Sequence, residues 1–447
     1  MLARLRNEFF DIRRQEWPTA LGLSFFFFLV IAVFWVLKPI KRGALIGFYA
    51  DDPLQLLGVT FSGAEAEQIG KTLNMLVVYV LVVAYTWLVH RTTRLQVIVL
   101  LCGVLGGLMA FFAYAISSPS GPVVWSFYVF GDMFNSLMVV TFWAFANDVT
   151  RPEQSKRLYG IVGLGGVIGG FVGATFVRAN VETIGRTPLL LTCVGAMVLI
   201  AGVTYYVNRR EGGTAHRSPD ENGGSGASVS AALEGAQLVI SSKYLLAILG
   251  IIGLYEIVSN IVDFQLAAVV ETSIQDEQAR DAFFGLVGQI TGIGSIVVQL
   301  LVTSFVMKRY GVGVALLFLP VAILFSSVGF LLVPSLVFVV AMSASDNALN
   351  YSINQSAREA LYTPTSRDVK YKAKAFIDMF VQRFAKVVAV VLNLSVAAFV
   401  GVQGVRWLSL ASIAVLIAWI ALVRYAGQQF DERADEATTD LGAAETS

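Results

Sequence analysis

Two cations lie close together inside one of the most apolar parts of the sequence. The stretch IDMFVQRFAKVVAV covers residues 377–390 and contains Arg383 and Lys386. A cation at the centre of a membrane helix costs roughly 3 kcal/mol to insert, and helix residues three apart share a face. We therefore predict that this face lines a polar cavity, where both side chains contact an anionic solute or form a gating pair. A purely structural role is the alternative.

Carboxylates and amides occur at helical spacing in other apolar stretches. They are Glu256, Asn260 and Asp263 in one stretch, Asp346 and Asn350 in a second, and Asp132 in a third. Ionisable groups inside a membrane are functional candidates because their insertion is costly. They can equally pair with cations to hold helices together or to switch conformation. For Glu256 and Asp346, static packing or proton transfer is as consistent with the pattern as substrate contact.

The segment VLKPIKRGAL (36–45) adds further cations at the end of the first apolar run. Lys41 is a candidate for substrate contact, and Lys38 for coupling or gating together with Glu256, Asn260, Asp346 and Asn350. Because the apolar run has ended here, we expect Lys38 and Arg42 to lie near the membrane interface in contact with solvent.

Composition places these residues in a membrane protein. Of 447 residues, 56% are hydrophobic and 14% are charged, against about 25% charged in soluble domains. Runs of about 20 apolar residues can cross a bilayer as helices. Twelve such runs are predicted, at 18–38, 72–89, 95–116, 124–146, 158–180, 187–207, 244–270, 283–306, 311–333, 334–356, 374–400 and 406–425. The predicted fold is an all-α integral membrane protein with twelve transmembrane helices.

A polar stretch rich in Gly and Ser at 211–230 divides the runs into six and six. This arrangement is typical of the two-half, major-facilitator-like plan of secondary transporters. We predict an N-terminal six-helix half (1–207), a cytoplasmic linker with a short interfacial helix (208–243), a C-terminal six-helix half (244–427) and a disordered acidic tail (428–447). A binding site is expected centrally between the halves.

The remaining composition narrows the class of protein. Most of the 32 Lys and Arg residues fall in segments that are cytoplasmic if both termini are, which agrees with the positive-inside rule. Two cysteines and two histidines, widely separated, predict neither a disulfide framework nor a histidine metal site. No nucleophile–base pair indicates an enzyme, no cofactor or nucleic-acid partner is expected, and no phosphate-binding loop indicates an ATP-driven pump.

The glycine run GIVGLGGVIGGFVGA (160–174) lies inside an apolar run and has no preceding strand, so a dinucleotide fingerprint is disfavoured. Small residues four apart, such as Gly166, Gly170 and Ala174, instead predict close helix packing.

Two long segments resemble the ATP:ADP antiporter family, the nucleotide transporters of plastids and intracellular bacteria. They are FWAFANDVTRPEQSKRLYGIVGLGGVIGG (142–170) and REALYTPTSRDVKYKAKAFIDMFVQRFAK (358–386). The resemblance implies a major-facilitator-like fold and exchange of nucleotides. It also implies functional roles for Lys386 and Arg383, for Asp132 and Asp263 as counter-charges, and for Lys41, with Lys38 as an alternative. The cations would neutralise substrate phosphates.

The chain departs from that family's pattern at several of these positions. Both carboxylates are Asp instead of Glu, Ala267 replaces a Lys, Arg42 replaces an Asp, and AKVVA (385–389) replaces a glycine-rich segment. Loss of glycine makes close approach of a phosphate less easy. The predicted substrate is therefore a nucleotide or another phosphorylated metabolite, moved by alternating access in a divergent bacterial relative.

Two other functions remain open. One is a proton-coupled transporter of a different organic solute, and the other is a membrane partner or lipid-handling protein that moves no soluble solute. We expect a monomer, in contact with membrane lipids, in the bacterial inner membrane.

Overall fold

Long apolar helices account for nearly all of the structure. The computed structural model describes residues 13, 15–56, 58–150, 152–211, 229–365, 373–374 and 376–445. Within this part of the chain, eleven helices are long enough and apolar enough to cross a membrane. The packed helices form two units, Met1–Gly224 with Ile274–Gly292 and Ser225–Ser273 with Ile293–Ser447. The glycine-rich linker at 212–228 lies outside the described residues.

Six long helices and a small hairpin make up most of the first unit. They are α1 (Trp17–Asp51), β1 (Leu54–Leu56), β2 (Val59–Phe61), α2 (Gly63–Arg91), α3 (Arg94–Ala115), α4 (Gly121–Val149), α5 (Pro152–Ile184) and α6 (Arg186–Glu211). Local sequence explains several ends. Ser62 with Glu65 and Thr93 with Gln96 form capping boxes that start α2 and α3. Gly185 has a φ of +80°, which permits the abrupt turn from α5 into α6.

Helix α1 is the centre of this unit and packs against α2, α4, α5 and α6. Its contact with α5 is made through glycine. A Cβ atom at Gly165, Gly169 or Gly173 would lie 2.3–2.4 Å from a backbone oxygen of α1. The glycine run is therefore a packing surface, as predicted, although the residues against the α1 backbone lie one position before the predicted set. The neighbouring Gly166 and Gly170 instead face the side chains of Phe27 and Trp35.

The second unit contains the later helices. After α7 (Val229–Ser241) and α8 (Lys243–Ser273) the chain continues through α9 (Glu277–Val297), a π-helical segment (Val298–Thr303), α10 (Ser304–Leu332), α11 (Leu336–Leu349), a π-helical segment (Asn350–Asn354), α12 (Gln355–Leu361), a π-helical segment (Ile377–Val381), α13 (Gln382–Val400), a 3₁₀ segment (Val402–Trp407) and α14 (Leu408–Glu445). Helix α8 packs against α11, α13 and α14, and α10 packs against α11 and α14. The first part of α9 belongs to the first unit.

The predicted spans match these helices with several differences, of which three matter most. The tenth predicted span, 334–356, falls on α11, a π-helical segment and α12, so no single regular helix covers it. The helix of the first span continues to Asp51 instead of ending near residue 38. Residues 428–445, predicted to be disordered, continue α14 in the structure. Their sequence contains four Ala and three Glu, which are helix formers, and lacks proline, which is consistent with helix.

Candidate functional site

The end of α1 carries two buried cations. Lys41 is 4% exposed and Arg42 is 5% exposed. The expectation that Arg42 contacts solvent is therefore wrong, because α1 continues for about two and a half further turns and other helices cover this part of it. Adjacent residues on a helix point about 100° apart, so the two cations meet different neighbours.

Lys41 forms an ion pair with Asp132 of α4. The Asp132 side chain is 34% exposed and also accepts a hydrogen bond from Asn74 of α2. The Lys41 ammonium lies 4.4 Å from the centre of the Tyr128 ring, a cation–π contact. A Cβ atom at Gly131 would lie 2.6 Å from Lys41 Cδ, so this glycine provides the space for the lysine stem. Two neighbouring helices, α2 and α4, thus fix the ammonium beside a partly exposed carboxylate.

Arg42 pairs with Glu67 of α2. Its Nε lies 2.6 Å from Glu67 Oε1, and its Nη2 donates to Oε2 at 3.0 Å. The two side chains are 6% and 1% exposed, and the Arg42 guanidinium also lies 4.6 Å from the centre of the Phe284 ring. A buried, two-point pair of this kind holds helices firmly because breaking it leaves a charge in an apolar environment.

A third group of charges joins α6 to the start of α9 within the same unit. Arg186 Nε lies 2.6 Å from Asp281 Oδ2, and Arg186 Nη1 donates to Glu277 Oε2 at 2.7 Å. Asp281 is fully buried, and a Cβ atom at Gly43 would lie 1.7 Å from its Oδ1. This segment of α9 therefore packs directly against the α1 backbone.

Sequence reasoning missed Asn74, Glu67, Arg186 and Asp281. The last three fall just outside the predicted apolar runs, because a hydropathy window ends where charges begin although the helix continues. Their position within one or two turns of a run was the available signal, and it could not show which cation meets which carboxylate.

In the second unit, Lys386 of α13 lies beside Glu256 of α8. Lys386 Nζ is 3.5 Å from Glu256 Oε2, and the two side chains are 39% and 11% exposed. Arg383, one turn earlier on the same helix, is half-buried. Asp263, predicted as the counter-charge from α8, is also half-buried and lies two turns after Glu256. The structure thus places Glu256, predicted for coupling or gating, at the lysine.

The remaining polar residues of this unit form a smaller network. Asp346 is 3% exposed and its Oδ2 accepts a hydrogen bond from Ser259 at 2.7 Å. Asn260 donates to the backbone oxygen of Glu256, which is an intrahelical contact, and its own backbone oxygen accepts from Asn393 of α13 at 3.3 Å. Asn350 accepts a hydrogen bond from Asn354 inside the π-helical segment. Lys38, in the first unit, is half-buried and lies over the Trp35 ring at 4.7 Å.

The charged groups can bind ions of opposite sign or exchange partners with them. Among the described residues, no group of three histidine, cysteine or carboxylate side chains could hold a metal ion. The two lysines differ in access, since Lys41 is enclosed while Lys386 is more than a third exposed. Both have a carboxylate that an incoming anion could replace.

Comparison with known proteins identifies the family. The sequence model described as TLC ATP/ADP transporter matches residues 122–430, more than half of the chain. The chain belongs to this family. It is 25% identical to ADP,ATP carrier protein 1 of Chlamydia pneumoniae, over 67% of this chain and 65% of that protein. It is 24% identical to the chloroplastic ADP,ATP carrier protein 1 of Arabidopsis thaliana, over 71% of this chain and 57% of that protein. The matches thus span less than two thirds of either relative's length.

Solved structures support the same fold for this TLC family member. The nucleoside transporter NupG superposes with a TM-score of 0.64 at 12% identity, over 91% of this chain and 99% of that one. A bacterial homologue of the iron transporter ferroportin, in an inward-facing state, gives 0.63 at 11% identity, over 93% and 98%. The predicted all-α, major-facilitator-like architecture is confirmed, and the chain is a multi-pass membrane protein.

The matched region contains most of the candidate residues, but not all of them. It includes Asp132, Asp263, Arg383 and Lys386, whereas Lys41 precedes residue 122. In this TLC family member, Lys41 is nevertheless joined to the matched region by its ion pair with Asp132.

Proposed function

We propose that this protein is a secondary transporter that exchanges nucleotides of the ATP and ADP type across a membrane by alternating access. The observation that carries the proposal is a lysine beside a carboxylate within the helices of each half of the chain, Lys41 with Asp132 and Lys386 with Glu256. Membership of the TLC ATP/ADP transporter family supports nucleotides as the solute.

The proposed chemistry is competition for the lysines. In the empty protein each carboxylate neutralises its lysine, which lowers the cost of holding a charge inside the membrane. A phosphate group of the substrate then displaces the carboxylate, because it offers several charged oxygens to the ammonium. The partial exposure of Asp132 and Lys386 makes both pairs reachable by such an anion. Arg383 and Asp263 are proposed to adjust the electrostatic potential at Lys386.

The change of ion-pair partners also explains why transport of one nucleotide is coupled to transport of another in the opposite direction. A ligand shifts a conformational equilibrium only if it binds the two states differently. When phosphate has released Asp132 or Glu256, these carboxylates can pair elsewhere and favour the second state. The coupling and gating roles of Lys38, Asn260, Asp346 and Asn350 belong to this step of the proposal.

The proposal also includes location and organisation. We infer a monomer in the bacterial inner membrane with both termini in the cytoplasm, and with membrane lipids as its surroundings. The division into halves at 1–207 and 244–427, joined by a linker at 208–243, is part of the same proposal.

The test is exchange in reconstituted liposomes. Purified protein is reconstituted with ADP inside, and uptake of labelled ATP is measured with and without the internal nucleotide. We expect uptake that requires internal ADP and is lost in Lys386→Ala. Uptake driven by a pH gradient without internal nucleotide would favour the proton-coupled alternative. Absence of uptake, with no thermal stabilisation by nucleotides, phosphate, sugar phosphates or organic acids, would favour a partner or lipid-handling role.

A further inference from the structure

Helix α5 carries an exposed cation that the ion pairs above do not use. Arg178 lies inside a membrane-spanning helix and its Nη1 donates to Gln289 Oε1 of α9, in the same unit. Among the residues that the structure describes, this neutral amide is the hydrogen-bond partner of the guanidinium. Arg42 and Arg186 differ from Arg178 because each of them lies against carboxylates.

The guanidinium points away from the nearer end of its helix. Helices α5 and α9 run antiparallel, since Gly285 lies against the backbone of Arg178, Gly288 against Ala174 and Gly292 against Phe171. Gln289 is therefore about one turn further from the start of α9 than the backbone of Arg178. An arginine that served only to reach the membrane surface would extend towards the end of α5 instead. Arg178 thus extends along α5 away from the nearer end of the apolar span.

Trp35, which carries a second cation over its ring, packs against the same turn of α9. The Lys38 ammonium lies over the Trp35 ring, and a Cβ atom at Gly288, the residue before Gln289, would lie 2.6 Å from Trp35 Cζ3. Trp35 thus packs on the backbone beside Gln289 and holds Lys38 nearby. The turn of α9 that contributes the neutral amide thus also carries the aromatic ring on which Lys38 lies.

We propose that Arg178, oriented by Gln289, forms a second anion subsite that binds a phosphate group of the transported nucleotide. This inference rests on the proposed function and adds a residue that binds substrate charge. A guanidinium has five N–H donors, so the bond to Gln289 leaves most of them for phosphate oxygens. Because its recorded partner is uncharged, Arg178 attracts an anion without first displacing a carboxylate.

The experiment measures the nucleotide concentration for half-maximal exchange in Arg178→Gln, Gln289→Glu and wild type. Arg178→Gln removes the cation. Gln289→Glu keeps Arg178 but gives it a carboxylate of the same size, so a folding defect in one variant does not decide the test. Arg91→Gln is the matched control, because Arg91 is also an exposed arginine of a long helix and lies over Trp87.

We expect both subsite variants to raise the half-saturating concentration by about tenfold, which corresponds to losing one charged hydrogen bond. The increase should be larger for ATP than for AMP, and Arg178→Lys should lie between the variants and wild type. Exchange by Arg178→Gln and Gln289→Glu that equals the Arg91→Gln control would overturn the inference and leave the proposed function intact. A wild-type protein that exchanges no nucleotide overturns both, and is recognised before any variant is compared.

Discussion

Lys41 and Arg42 are consecutive residues of α1, but they pair with carboxylates on different helices and in different environments. Lys41 meets Asp132, which is a third exposed, whereas Arg42 meets Glu67, which is 1% exposed. An exposed carboxylate can be replaced by a solute, and an enclosed one cannot. We therefore assign substrate competition to the first pair and helix association to the second, and the predictions below separate these roles.

The Arg42–Glu67 pair should be tested by a double-mutant cycle. Arg42→Met leaves a buried carboxylate without this partner and should destabilise the protein by about 3–5 kcal/mol. Arg42→Met combined with Glu67→Leu should recover much of that loss, because neither charge remains buried. Thermal unfolding of the purified variants in detergent measures both effects. Additive destabilisation in the double variant would contradict the assignment.

Asp132→Asn should bind nucleotide more tightly and exchange it more slowly. The substitution removes the carboxylate that competes for Lys41 but keeps its shape. We expect the dissociation constant to fall by about tenfold, equivalent to about 1.4 kcal/mol. Exchange should slow because the empty protein loses the ion pair that neutralises Lys41 during its conformational change. Nucleotide binding by thermal shift and exchange in liposomes are measured side by side. Weaker binding would instead mean that Asp132 contacts the substrate itself.

Lys386→Ala should abolish exchange with little effect on stability. The ion pair with Glu256 spans 3.5 Å and the lysine is 39% exposed, so its loss should destabilise the protein much less than loss of the enclosed Arg42–Glu67 pair. Lys374→Ala is the control, since Lys374 pairs with Glu359 at similar exposure in the same unit. Equal loss of exchange in the two variants would argue against a specific role for Lys386.

Gly173→Ala should weaken the contact between α1 and α5. The new methyl group would lie 2.4 Å from the backbone oxygen of Ala32, which cannot move aside as a side chain can. We expect destabilisation of about 1–3 kcal/mol, typical of overpacking. Gly195→Ala is the control, because a methyl group in that position of α6 meets nothing within 4 Å. A Gly173→Ala protein as stable as this control would show that the two helices separate easily.

The fold followed from run length and composition, whereas the partners of the charges did not. A bilayer requires long apolar helices, so the spans of α1 to α6 could be predicted without tertiary information. The pair Arg186–Asp281 joins residues 95 positions apart. No local pattern encodes that proximity, and both residues lie at the boundaries of predicted spans.

Prediction of the site was similarly uneven. Inserting a charge in a membrane is costly, which made Lys386 and Asp132 visible in the sequence. The same reasoning gave Arg42 a solvent-exposed position, because it treated the end of an apolar run as the end of burial. It also gave no weight to Arg178, which lies two residues from the predicted end of a span. Cations are common at such positions because their side chains can reach the membrane interface.

The glycine contact between α1 and α5 has a consequence for size selection. Because Gly165, Gly169 and Gly173 bring the two backbones into direct contact, the two helices should move as one rigid body. The distance between the backbones of Lys41 and Arg178 is then set by the packing of the two helices. This separation should stay constant throughout the transport cycle. Helices α1 and α5 would therefore favour solutes whose phosphate chain has a matching length.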